Sequence, residues 1–143
     1  MPTPENRPLP RGMLALGWSG LLPFAATLAL AVGQPGWRDL ALTVFIAYAA
    51  VILSFLGGAR WGRGLASDVS PLRYAEAVLP SLIGFTALLL AHQPAPALGL
   101  LGVGFLIWMV IDLRDPLWTP AYRRMRLGIS IAVIALHAAW FVI

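Results

Sequence analysis

The chain has 143 residues, 59% of them hydrophobic and 11% charged, with a formal net charge of +4. A soluble domain carries about a quarter of its residues charged, so this composition excludes an ordinary water-soluble fold and points to a protein solvated by lipid. Cysteine is absent, which removes disulfides, thiol catalysis and cysteine-ligated metals. All ten basic residues are arginine; they sit beside apolar runs, where membrane topology accounts for them, and nucleic-acid binding is not expected.

In chain order, residues 1–12 hold Pro2, Pro4, Pro8 and Pro10 with Arg7 and Arg11, and read as a short disordered arm. Residues 13–143 read as a single domain. Its first apolar span runs from about Met13 to Val32, long enough to cross a bilayer. Ala29-Leu30-Ala31 has the form of a signal-peptidase site, yet the run before it is longer than a signal peptide's and Pro23 interrupts it. A retained first helix is expected. The turn Gly33-Gln34-Pro35-Gly36 leads to a second span, Trp37 to Gly58, and Arg63 to Arg73 is a polar connection. The third span is Tyr74 to Ala91; after the turn His92-Gln93-Pro94-Ala95-Pro96 comes the fourth, Ala97 to Leu113. A polar stretch, Asp112 to Arg126, precedes the fifth, Leu127 to Ile143. These runs are continuous, not alternating, so a β-barrel is excluded. The expected fold is an all-α bundle of five transmembrane helices.

Arginine placement orients it. Nine arginines fall on the side of the N-terminal arm and the two polar connections, and only Arg38 on the other. The positive-inside rule then puts the N-terminus in the cytoplasm and the C-terminus in the periplasm of a bacterial inner membrane.

The densest motif closes the second span: Ser54-Phe55-Leu56-Gly57-Gly58-Ala59-Arg60-Trp61-Gly62-Arg63-Gly64. Ala50, Ser54, Gly58 and Gly62 recur every fourth residue and form an expected close-packing face, within the chain or between copies. Arg60 and Arg63 share a helix face and, with Trp61, read as interfacial anchors or as a site for an anionic group. Glu76 and Asp112 lie on the same side and are candidate partners for these arginines. Pro23 and Pro80 each free the carbonyl four residues back, those of Ser19 and Glu76, and mark kinks that neighbours stabilise. His137 is the ionisable residue well inside a span, and so a candidate polar site. No hydrolase or phosphate-loop motif is present. Asp112 and Asp115 have no histidine near them in sequence, and the expected topology separates Asp112 from His92. No catalytic set, metal or cofactor is expected.

Several stretches resemble the DUF3429 family of small bacterial and mitochondrial membrane proteins, which includes transmembrane protein 69. They are Leu16 to Phe24, Val51 to Gly62, Leu79-Pro80-Ser81-Leu82 and Tyr122 to Leu127, with Ser54-Phe55-Leu56-Gly57-Gly58 before Trp61-Gly62 the most specific. At Arg60 the family often has histidine. The resemblance implies a multi-helix membrane protein and carries over no activity. The function expected is that of a non-catalytic scaffold or assembly partner of another membrane protein, or of a homo-oligomer, in the lipid bilayer. The alternative is an oligomeric channel or transporter for an anion or lipid headgroup, with Arg60 and Arg63 at its cytoplasmic mouth.

Overall fold

The computed structural model describes residues 8–67 and 69–143, which form helices and turns without a strand. The expected disordered arm falls largely on residues 1–7, outside the described residues; from Arg11 the chain is helical.

The first apolar run is two helices, α1 (Arg11–Ser19) and α2 (Leu22–Gly33), interrupted at Gly20-Leu21. Pro23 sits in the first turn of α2, where a missing N–H costs nothing, so the helix restarts there. Tyr48 donates its hydroxyl to the Gly20 carbonyl at 3.0 Å, satisfying a backbone group at the break. A 3-10 turn, Pro35–Trp37, leads into α3 (Arg38–Leu65), whose 28 residues span about 42 Å. That exceeds the roughly 30 Å of a hydrocarbon core. The glycine- and arginine-rich motif is therefore the last turns of a helix, not its exit. No glycine has positive φ among the described residues.

Three more helices follow, α4 (Pro71–Leu89), α5 (Pro94–Arg114) and α6 (Pro120–Ala139), each with proline in its first turn. α6 begins well before the expected Leu127. Thr119 caps it, its Oγ1 accepting from Tyr122 N at 3.3 Å. Hydropathy marks where this helix turns apolar; the Thr119-Pro120 pair marks where it starts. Four stretches are long and apolar enough to cross a membrane: Arg11–Gly33, Pro35–Leu65, Pro71–Leu89 and Pro94–Arg114. α6 carries Arg123, Arg124 and Arg126 in its first turns.

α3 is the hub. It packs against α2, α4 and α5, while α6 lies against α5 and touches α1 and α2. Phe24, Phe45, Phe105, Trp108 and Trp140 fill the interior, with Phe24 edge-on to Phe45 at 5.1 Å. Large apolar side chains also stand exposed on every helix, as a lipid solvent allows.

The α3–α4 seam is closed by small residues. A Cβ at Gly57 would overlap the Ala77 carbonyl oxygen and stand 3.1 Å from Pro80 Cγ. One at Gly84 would stand 2.9 Å from the Ala50 carbonyl oxygen. Such notches let backbones meet where lipid supplies no hydrophobic drive, and the buried Pro80 ring packs beside the one at Gly57. Ala50 and Ser54 belong to this seam, but the expected ridge is corrected beyond them. A Cβ at Gly58 or Gly62 would meet nothing within 4 Å. Steps of four residues turn about 400°, so the ridge drifts by about 120° between Ala50 and Gly62. Steps of seven nearly keep the face, which is why Ala50, Gly57 and Gly64 line the seam instead.

Candidate functional site

Arg60 follows Gly57 by one helical step and shares its inward face. Its side chain is 8% exposed. Nη2 donates to Glu76 Oε2 at 2.8 Å and Nη1 to Asp115 Oδ2 at 2.6 Å. Asp115, whose side chain is 0% exposed, also accepts from Arg73 Nη2 on that same oxygen. Its Oδ1 accepts from Leu117 N at 3.0 Å. One carboxylate thus ties α3, α4 and the α5–α6 connection together. A turn away on α5, Asp112 accepts from Arg126 Nε at 3.1 Å. Arg60, Arg73 and Arg126 face Glu76, Asp112 and Asp115, so the cluster is formally neutral. A buried network of this kind fixes geometry, because removing one partner strands a charge at a cost of about 3–5 kcal/mol.

Beside it, Arg63 donates Nη2 to the Leu117 carbonyl at 3.0 Å and lies 5.9 Å over the Trp118 ring. Trp118 stacks on Tyr122 at 4.3 Å, and Arg123 Nη1 donates to the Leu113 carbonyl at 3.4 Å. Trp61 is exposed and meets Tyr74 edge-on at 5.0 Å.

The structure separates the residues that the sequence grouped. Trp61 and Arg63 face outward, but Arg60 does not anchor at the surface, since both its η nitrogens are taken by carboxylates. Glu76 pairs with Arg60 as expected. Asp112, expected beside Arg60 or Arg63, pairs with Arg126, because the early start of α6 carries Arg126 onto its α5-facing side. His137 belongs to none of this. It lies eleven residues beyond Arg126, about 16 Å along α6. Its ring is buried among Phe24, Phe45 and Phe105, 4.8 Å from Phe45, and Nδ1 donates to the Val133 carbonyl at 2.8 Å. Among the described residues no three His, Cys, Asp or Glu side chains converge as metal ligands do.

The family model described as a protein of unknown function, DUF3429, matches residues 9–142. The chain belongs to this family. Transmembrane protein 69 of Xenopus tropicalis is 33% identical over 123 residues, covering 80% of this chain and 48% of the relative. The chain thus spans about half the length of the curated relative it matches. No solved structure matches it. Its apolar stretches and this kinship make the DUF3429 chain a membrane protein. Sequence reading missed Asp115, weighed only with Asp112 as a metal ligand, and Arg73 and Arg126, which counted only towards topology. Their place on the arginine-rich side of the chain was legible, but not that three elements meet on one carboxylate.

Proposed function

We propose that this protein is a non-catalytic scaffold or assembly partner of another membrane protein, docking through the outward side of α3. Its setting in this reading is a bacterial inner membrane, crossed five times with the N-terminus cytoplasmic and the C-terminus periplasmic. The observation that carries the docking role is the placement of Gly58 and Gly62. Both lie on the helix whose other faces build the fold, and neither has a neighbour among the described residues within 4 Å of where a Cβ would stand. A glycine inside a helix costs about 0.5–1 kcal/mol relative to alanine, and close approach of a partner backbone offsets that cost. The interior supports a platform over a conduit. Thr27 and His137, buried beyond the charged cluster, donate to carbonyls of their own helices, among aromatic rings. Support for the five passes comes from α6, whose 20 residues reach about 30 Å.

The channel or transporter reading draws on a polar pocket of about 290 Å³ bordered by Arg60, Ser70, Arg73 and Glu76. Arg60 enters it already committed to two carboxylates, which leaves little for a passing anion. Mild-detergent purification separates the two readings. A defined complex larger than the single chain is expected, and Gly58→Leu should disperse it without unfolding the protein. An unchanged complex, or anion flux from the purified protein in liposomes, would refute the docking role.

A further inference from the structure

A cleft of about 590 Å³ lies between α1, α3 and α6, within the 300–1,000 Å³ range typical of ligand pockets. Its floor is where α1 meets α6: a Cβ at Gly17 would stand 3.1 Å from Met125 Sδ, and one at Gly128 would stand 2.9 Å from the Trp18 ring. Most of the walls are apolar, from Leu16 and Phe24 through Ile52 and Phe55 to Ile129 and Val133. Leu16 and Phe55 are 76% and 68% exposed, so the cleft is open sideways, towards the hydrocarbon in a membrane.

One end differs. There Trp118, in the connection before α6, and Tyr122 and Arg126, on the first two turns of α6, border the cleft. Arg126 is 7% exposed and spends Nε on Asp112, but its Nη2 is buried with no hydrogen-bond partner among the described residues. The Trp118 indole N–H is also buried, with the Asp112 carboxylate beside it as its acceptor. A buried donor without an acceptor is costly, and Arg126 Nη2 at the border of the cleft calls for one there. Charge says which kind. Asp112 already neutralises Arg126, but Arg63 lies against the Trp118 ring with no carboxylate of its own among the described residues. Arg123 and Arg124 add positive charge on the same turns of α6.

We propose that this cleft holds one acyl chain of an anionic phospholipid, whose phosphate accepts from Arg126 Nη2. The apolar walls take the chain, the lateral opening lets it enter from the bilayer, and the arginines select the head. The proposal does not rest on the docking role of Gly58 and Gly62.

The test is native mass spectrometry of the full chain in mild detergent, mixed with phosphatidylglycerol, with phosphatidylcholine of the same acyl chains, or with oleate. One phosphatidylglycerol per chain is expected, held about tenfold more tightly than phosphatidylcholine. Ala59→Phe, which fills the cleft, should abolish retention. Arg126→Lys keeps a charge opposite Asp112 but removes Nη2, and should weaken retention about tenfold. Equal retention of the two phospholipids, binding that never saturates at one, preference for oleate, or full retention by Arg126→Lys would each overturn the proposal.

Discussion

The two sides of α3 use the same residue type to opposite ends. On the α4 side, Gly57 and Gly84 are notches filled by the other helix, and the backbones touch. On the α1 side, Gly17 and Gly20 border a cleft that the helices leave open. Both sides are apolar, and in lipid apolarity does not distinguish an interior from an exterior. The seam is closed by the fit of small residues and by three arginine–carboxylate links at one end. The cleft is open because α1 meets the rest at few points and breaks at Gly20-Leu21.

Substitutions should expose this contrast. The largest effect is expected from Asp115→Ala, which strands the Arg73 guanidinium and leaves Arg60 with Glu76 alone; a loss of about 3–5 kcal/mol should appear in detergent unfolding curves. Next is Gly84→Leu, which forces a side chain against the Ala50 backbone and Ser54 Oγ, at about 1–3 kcal/mol by the same measurement. His137→Phe should cost less, about 1 kcal/mol, since it gives up the bond to Val133 and also removes an unpartnered buried nitrogen. A larger loss would mean that Nε2 has a partner. Smallest is Gly17→Ala on the open side, where the atom met is the flexible Met125 sulfur; a change within about 0.5 kcal/mol is expected.

Much of the architecture was legible in the apolar runs, because a run of that length has few options but a helix. Helix ends were less so. The Thr119-Pro120 start of α6 and the continuation of α3 to Leu65 are set by capping and backbone geometry, which mean hydropathy does not register. The face of α3 was misread beyond Ser54 because a four-residue step was extended past the distance over which it stays on one side. In the cluster, Arg60 with Glu76 was within reach of sequence reasoning, since both sit on the arginine-rich side. Asp115 was not, because its role depends on three elements meeting at a loop.

The claim that α3 builds the fold with Gly57 and turns Gly58 outward rests on one methyl group's worth of space. Thermal midpoints of Gly57→Ala and Gly58→Ala, measured side by side in the same detergent, test it directly. Gly57→Ala should fall clearly below the parent, since its Cβ has no room beside the Ala77 carbonyl and Pro80. Gly58→Ala should match or exceed the parent, by up to about 1 kcal/mol of helix propensity. The reverse order, or equal midpoints, would contradict the assignment of the two faces.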